Sequence, residues 1–535
     1  MSPGRPSSPA APGPHRGPRR LRPTLVPARS AHYRRPGGPW DGPSLDAQLS
    51  AAARSGASAA DDDARLGGDD LEAEVAGLAG RLRAAGAGRG RAVAWQLPNG
   101  LPAYLLYRAC WRLGAVAAPL HHGMGPAEVA SALDVVGPSV VLAAPGLAVA
   151  EVPGALAVAP NGRPSAWEQL PDAPPVGPAA SPARPPDLAA VLFTSGSSGA
   201  PKAVLHTQRA LAYKARLMAS VHGLGPADAV LMPAPLAHVS GLLNGVLLPG
   251  TASMACRLMA RWDPERACQL IESERVSFMI GPPTFFVGLI QASSFSPGKV
   301  ASLRLVSSGG ASVTPAFVES ATAALGCRVK RTYGSTEAPT VTTTTEADPE
   351  EAARQTDGRA VGEVELKVAD TQSGRALPPG GVGELWLRGP ELFVGYADPA
   401  QTRASHARGG WFRTGDLASL DGDGFLRIVG RIKDVIIRGG ENVSAAEVEA
   451  VLEAHPSVAQ AVAVPYPDQL MGERVAAFVV ARGDFDLEEC RRWFAERGVA
   501  RFKTPERLVR LESMPTMAAG KPDRAALRRM AAQGP

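Results

Sequence analysis

The sequence predicts an α/β protein with three parts. These are a large N-terminal domain of parallel α/β sheets, a small β-barrel-like subdomain, and a small C-terminal α+β domain. Three observations carry this. From about Ser44, short apolar runs alternate with helical stretches, the pattern of parallel strands covered on both faces. From Val361 to Val429 the texture changes to short alternating strands with glycine turns, as in "GELWLRG" and "DGDGFLRIVG". The last hundred residues then return to helices and strands on a smaller scale. At 535 residues the chain is too long for one hydrophobic core.

Residues 1–43 are rich in Pro, Gly, Ser and Arg, lack apolar periodicity, and are expected to be a disordered tail. This tail lacks the apolar core of a secretory signal, and its prolines argue against an amphipathic transit helix. Residues 44–430 form the expected large domain. Its helices include Leu71–Ala84 and Pro126–Val136. Its strands include Ala92–Leu97, Ser139–Ala143, Leu188–Phe193, Ala229–Pro233, Val276–Ile280 and Leu303–Val306. Pro153–Pro186 reads as a Pro/Ala-rich connection. In residues 431–535, "SAAEVEAVLEAH" is a helix with Ser444 as N-cap. "VAQAVAVPY" and "ERVAAFVVAR" read as strands, and "DLEECRRWFAERG" as a second helix.

The net charge of +5 is concentrated in residues 1–40, which hold eight Arg and no acid. The remainder is near neutral and has no basic stripe with interleaved aromatics, so nucleic acid is not an expected partner. Five scattered cysteines, with no C-x-x-C pair, suit reduced buried thiols and a cytoplasmic protein. No apolar run approaches the ~18 residues of a membrane helix.

One stretch raises a chemical question: "LFTSGSSGAPKAV", Leu192–Val204. A Ser/Gly loop after a buried strand can aim backbone N–H groups at an anion. It is not a Walker A loop, because Lys202 follows Pro201 and precedes Ala203. On its own letters the stretch admits both a phosphate cradle and a mobile turn.

Four companions decide between them. "YGSTEAP" (333–339), "WFRTGDLASLDGDGFLRIVGR" (411–431), "KDVIIRGGENVSAAEVE" (433–449) and "GKPDR" (520–524) follow in this order. With "QLPNGLPAYLLYRACWRLGAV" and "PLAHVSGL", they make the chain from about residue 44 to its end resemble the acyl-adenylate-forming superfamily, in its acyl-CoA synthetase branch. The resemblance implies a two-step reaction. A carboxylate attacks the α-phosphate of ATP, releasing pyrophosphate, and the thiol of coenzyme A then takes the acyl group from AMP. ATP, Mg²⁺ and coenzyme A are the implied cofactors and a small carboxylic acid the substrate, and a homodimer is admissible.

Residue roles follow from the same resemblance. Thr194, Ser195, Gly196, Ser197, Ser198, Gly199 and Lys202 would cradle the leaving pyrophosphate. Gly309, Gly310 and Ala311 would floor the adenine, and Tyr333 would stack on it, with Gly334, Ser335 and Ile428 also against the nucleotide. Thr336 would donate to the α-phosphate and Glu337 would hold Mg²⁺. Asp416 would accept the ribose hydroxyls, and Arg431 would reach ribose or phosphate. Lys521 would bridge carboxylate and α-phosphate during adenylation. It must sit on a mobile domain, with a hinge near Lys433, because it has to leave before the thiol enters. Gly439, Gly440 and Glu441, with Asn442, would then swing in beside the thiol. Pro522 replaces the usual aliphatic residue after the lysine.

The acyl pocket would be lined by His238, Val239, Leu242, Phe285 and Gly309, although His238 also reads as a packed structural histidine. Ala237–Ser240 holds no acid to pair with a substrate ammonium, which disfavours free amino acids. An apolar fatty or alicyclic acid is the expected substrate. Two alternatives stay open: delivery to a carrier-protein phosphopantetheine, and a non-catalytic nucleotide-binding homologue. The acidic stretch "GASAADDDARLGGDD" (56–70), where relatives carry an apolar strand, is the feature that raises the latter.

Overall fold

The computed structural model describes residues 20–158, 167–194, 201–311, 313–438, 441–517 and 521–533. Two mostly parallel sheets build the large domain. The first has six strands in the order Leu156–Ala157, Val140–Ala143, Ala92–Gln96, Val116–Leu120, Leu188–Thr194 and Lys202–Thr207. Its last pair is an antiparallel hairpin. The second has nine, in the order Arg359–Ala360, Thr342–Thr343, Arg328–Tyr333, Leu305–Gly309, Phe278–Gly281, Ala229–Met232, Ala255–Leu258, Ser58–Ala60 and Arg65–Gly67. Its central six strands are parallel.

Strands buried on both faces read as continuous apolar runs, and every residue of Ala92–Gln96 is buried. The helix Leu101–Arg112 is buried along its whole length. Its Arg112 pairs with Asp46 at 2.8 Å and Glu72 at 2.7 Å, and Arg108 meets Glu72 at 2.6 Å. Buried charges need such partners, since an unpaired one is very costly. The helix Pro126–Val136 has the bounds its sequence predicts, with Pro at its start and Gly137 in the left-handed region (φ +50°) ending it. The helix Gly68–Ala84 begins three residues before the expected Leu71, with Asp69 and Asp70 in its first turn.

The acidic run after Gly56 is a structured corner. Ser58–Ala60 and Arg65–Gly67 form an edge hairpin. In its turn, Asp61 accepts from Asp63 and Ala64 N–H at 3.1 Å and from Leu101 N–H at 2.8 Å. Asp62 pairs with Arg257 and Arg266. Among the described residues, no helix is long and apolar enough to cross a membrane, and all five cysteines are free and buried.

The β-subdomain is a five-stranded antiparallel sheet built on the long strand Trp411–Leu420, which pairs with three neighbours. Register shifts between Glu384 and Trp386 and between Leu417 and Ala418 bend it. In the C-terminal domain, strands Val458–Asp468 and Gly472–Ala481 carry helices Ala445–Glu453 and Leu487–Glu496. Ser444 caps the first helix as expected, its Oγ accepting from Glu447 N–H.

Residues 20–43 correct the expectation of disorder. Tyr33 and Trp40 are buried, at 1% and 8% exposure. Trp40 donates its indole N–H to Pro390 O at 3.0 Å, stands edge-on to Tyr33, and carries the Arg209 guanidinium 3.6 Å above its ring. Thr24 bonds Tyr396 O at 2.7 Å, and Arg35 pairs with Glu363 at 2.5 Å. The composition misled because two aromatics and a few arginines find partners far along the chain. Trp40→Ala is expected to cost about 3–5 kcal/mol in urea unfolding. The exposed Val26→Ser should stay within about 0.5 kcal/mol.

Candidate active site

The site assembles where the two parallel sheets, the β-subdomain and the C-terminal domain meet. The hairpin Leu188–Thr194/Lys202–Thr207 pairs Thr194 directly with Lys202. Residues 195–200, including Ser195, Gly196, Ser197, Ser198 and Gly199, lie outside the described residues. Lys202 is the first residue of the returning strand, and its ammonium stands 5.2 Å from the centre of the Tyr396 ring.

Gly309 ends its strand beside Thr332. A Cβ at Gly309 would come within 2.4 Å of Thr332 O, so only glycine fits there. Gly310 turns away with φ +77°, continuing into Ala311. Tyr333 ends the neighbouring strand and donates its hydroxyl to Asp416 Oδ2 at 2.6 Å. Arg431 Nε meets Asp416 Oδ1 at 2.7 Å. Burial and the Asp416 carboxylate hold the Tyr333 phenol protonated well above its ordinary range, so it remains a donor. Tyr333 and Ile428 both pack on the apolar cluster of the β-subdomain, and Ile428 N–H bonds Asp357 Oδ2 at 2.8 Å.

Past Tyr333 the chain turns tightly. A Cβ at Gly334 would lie 2.3 Å from Thr340 N, and Ser335 N–H bonds Ala338 O at 2.9 Å. Thr336 O accepts from His206 Nε2 at 2.8 Å. Burial pushes His206 down to about 4, so its ring is neutral. Glu337 Oε1 accepts from the Tyr396 hydroxyl at 2.7 Å. Among the described residues, no group of three or more His, Cys, Asp or Glu could hold a metal. Glu337 thus offers one hard carboxylate beside the expected phosphate site. That suits Mg²⁺, which keeps waters and takes one or two carboxylates plus phosphate oxygens.

Lys521 arrives from the C-terminal domain. A Cβ on Gly310 would sit 3.3 Å from its Cε, so the lysine stem lies against the glycine. Burial, with Arg431 nearby, lowers the ammonium to about 8, while Asp416 and Glu337 oppose the shift. Its loop is closed by Met517 N–H to Lys521 O at 2.7 Å and Asp523 N–H to Pro515 O at 2.8 Å. Pro522 bridges to Thr516 there. Asp523 caps the helix Arg524–Ala532, and Arg524 bonds the buried Glu449 at 2.6 Å and Ala463 O at 2.8 Å. The proline therefore leaves the "GK…R" frame anchored.

His238 lies near both Lys521 and His121, and burial first, then those two, push it down to about 3. Its Nδ1 accepts from Ser240 N–H at 3.2 Å, so the neutral ring carries its proton on Nε2. Val239 opens a short helix, and Leu242–Leu247 is a π-helical turn, a geometry frequent at functional sites. Phe285 stacks on Trp262 at 4.7 Å. Val239, Leu242 and Phe285 belong to one core cluster.

Lys433 is exposed in the single turn Ile432–Asp434, between the last strand of the β-subdomain and the first of the C-terminal domain. Glu441 pairs with Arg438 in an exposed hairpin. Gly439 and Gly440 lie outside the described residues. Sequence reasoning missed Tyr396, His206 and His121. Two of them, His206 and Tyr396, touch backbone or side chains of the Thr336–Glu337 turn, contacts that no local pattern in the sequence signals.

Known proteins match the chain over most of its length. Residues 47–397 match the AMP-binding enzyme family, and residues 447–521 match the AMP-binding enzyme C-terminal domain. The chain is 33% identical over 474 residues to the medium-chain fatty-acid–CoA ligase of Escherichia coli (strain K12), covering 84% of this chain and 83% of the relative. It is 34% identical over 470 residues to a feruloyl-CoA synthase of an Amycolatopsis species, covering 84% and 91%. The fold matches the ATP-bound crystal structure of MatB from Rhodopseudomonas palustris with a TM-score of 0.83 and 26% identity, over 91% of this chain and 98% of that one. These matches, over most of the chain, make it an ATP-using enzyme of the AMP-binding family, in its acyl-CoA synthetase branch.

Proposed function

We propose that the protein is an AMP-forming carboxylic acid–CoA ligase for apolar acids, of the medium- or long-chain fatty or alicyclic type. The observation that carries this is the meeting of Lys521, Gly310 and His238 beside an apolar wall.

Adenine lies over Gly309–Ala311 against Tyr333. Asp416 receives the ribose hydroxyls, since each of its oxygens keeps a lone pair beyond its bond to Tyr333 or Arg431. Lys202 and the hairpin it closes face the β- and γ-phosphates. The substrate carboxylate attacks the α-phosphorus, and the bond to pyrophosphate breaks. Lys521, an ammonium already desolvated, lies between the two anions and stabilises the charge that grows on the phosphoryl oxygens. Glu337 would hold Mg²⁺, which when bound neutralises phosphate charge. The C-terminal domain then turns about Lys433 and withdraws Lys521. Residues 439–441 come to the shelf, and the thiol of coenzyme A attacks the acyl carbon, releasing AMP. We assign 44–430, with residues 20–43 packed on it, and 431–535 as the two bodies of this alternation.

The acid is assigned as apolar because the residues expected to line its site are. Val239, Leu242 and the stacked Phe285–Trp262 pair offer no acid to a substrate ammonium, whose burial unpaired is costly. His238 Nε2–H supplies one neutral donor suited to a carboxylate or thioester oxygen. A relative named for medium-chain fatty acids supports the same class.

Pyrophosphate release is expected to be fastest, in kcat/KM, with octanoate or cyclohexanecarboxylate in a panel that includes benzoate and ferulate. Acyl-CoA should form without any carrier protein. A hydroxylated aryl acid as best substrate overturns the acid class, and acyl transfer only to a phosphopantetheinylated carrier overturns the acceptor. Lys521→Ala should lower adenylation by at least ~100-fold while thioester formation from preformed acyl-adenylate persists. Normal adenylation by that variant removes Lys521 from its role.

The pH dependence has a fixed sign. Lys521 is cationic below about 8 and neutral above it. The kcat/KM for adenylation, which reports the free enzyme, should therefore fall as pH rises through about 8. With both anionic substrates bound the ammonium is favoured, so kcat should fall at higher pH than kcat/KM.

A further inference from the structure

The ring of Tyr396 touches two groups that the proposed function uses, and nothing assigns it a role. Its hydroxyl donates to Glu337 Oε1 at 2.7 Å, and the Lys202 ammonium stands 5.2 Å from its centre. The ring is buried at 3% exposure, in edge contact with Phe393. A phenylalanine would fill that space with no polar group to satisfy, so the hydroxyl serves the carboxylate rather than the core.

The backbone of Tyr396 is held from several sides. Its N–H donates to Thr402 Oγ1 at 2.9 Å, and its carbonyl accepts from Thr24 Oγ1 at 2.7 Å. Leu205 N–H bonds Gly395 O at 3.0 Å, and Val394 N–H bonds Leu205 O at 2.8 Å. Tyr396 thereby bridges to Val204, two residues along the strand that begins with Lys202. A Cβ on Gly395 would collide with Thr24 Oγ1 at 2.1 Å, so the segment passes close under residues 20–43, which form an N-terminal strap. The ring has little freedom to shift without moving the hairpin or the strap.

We propose that Tyr396 is a positioning residue of the ATP site, aiming Glu337 through its hydroxyl and steadying Lys202 through its face, so that metal ligand and pyrophosphate cation keep one fixed spacing. The cation–π contact orients the ammonium without neutralising it, and the hydrogen bond to Oε1 turns Oε2 toward a cation. This rests on the reading of Glu337 as the Mg²⁺ ligand.

The test measures ATP affinity by isothermal titration calorimetry, in excess EDTA and across a Mg²⁺ series, on the full chain. For Tyr396→Phe, affinity in EDTA should stay within twofold of the parent, because the ring remains. The Mg²⁺ concentration giving half of the Mg²⁺-dependent tightening should rise about 10-fold. Tyr396→Leu should show that same shift and also bind ATP and pyrophosphate more weakly in EDTA, because Lys202 loses its platform. Glu337→Gln should abolish the Mg²⁺ response. Should Tyr396→Phe fail to fold, Thr402→Val, which removes one hydroxyl from the Tyr396 backbone, should move the Mg²⁺ midpoint two- to threefold in the same direction. If Glu337→Gln loses the Mg²⁺ response while Tyr396→Phe keeps the parent midpoint, the positioning role is overturned and the Glu337 reading stands. If Glu337→Gln itself keeps the response, both fall.

Discussion

The site depends on a half-buried lysine that its surroundings make easier to deprotonate. Desolvation of Lys521 is tolerable because two carboxylates, Asp416 and Glu337, face it, although Arg431 works against it. Two cations and two anions thus share one small volume before any substrate arrives. In the proposed reaction, polyanionic ATP would tip that balance toward the charged lysine, and loss of pyrophosphate would tip it back. The attraction holding the lysine-bearing domain against Gly310 would then be strongest when the nucleotide is most negative.

The scaffold makes this cluster rigid where it must be and thin where something approaches. Gly309 lies under a carbonyl, and Gly310 accepts the lysine stem, so the shelf is bare backbone. Tyr333 and Asp416 lock each other, and Arg431 completes the set from the strand that runs into the turn Ile432–Asp434. On the far side Ser444 Oγ bonds Val429 O at 2.5 Å, and Arg528 bonds Asp434 at 2.8 Å. These few polar contacts flank Lys433, and an interface of that kind can be remade in a second orientation.

Local signals carried much of the architecture. Pro126 and Gly137 bounded a helix, Ser444 capped another, and apolar runs marked the parallel strands. The order of the Gly-rich motifs pointed to Lys521, Asp416 and Glu337, which the fold brings together from positions up to 184 residues apart by number. What escaped was set by distant partners. Residues 20–43 have no periodicity of their own, and their order comes from Pro390, Tyr396 and Glu363. Asp61 looked like part of a solvated acidic run, yet it caps a turn and a buried helix. Tyr396 gave no sign in its neighbours that its hydroxyl meets Glu337, because that contact crosses from one sheet system to another.

The strap has a consequence for how the molecule is made. Thr24 and Tyr396 are 372 residues apart. At the ~5–20 residues per second of synthesis, Thr24 waits about 20–70 s before its partner exists. During that interval Trp40 and Tyr33 have emerged, but Pro390 and the β-subdomain have not. Residues 20–43 therefore complete their packing only after about three quarters of the chain has been made. Until then Trp40 lacks the carbonyl that its indole N–H bonds in the folded protein.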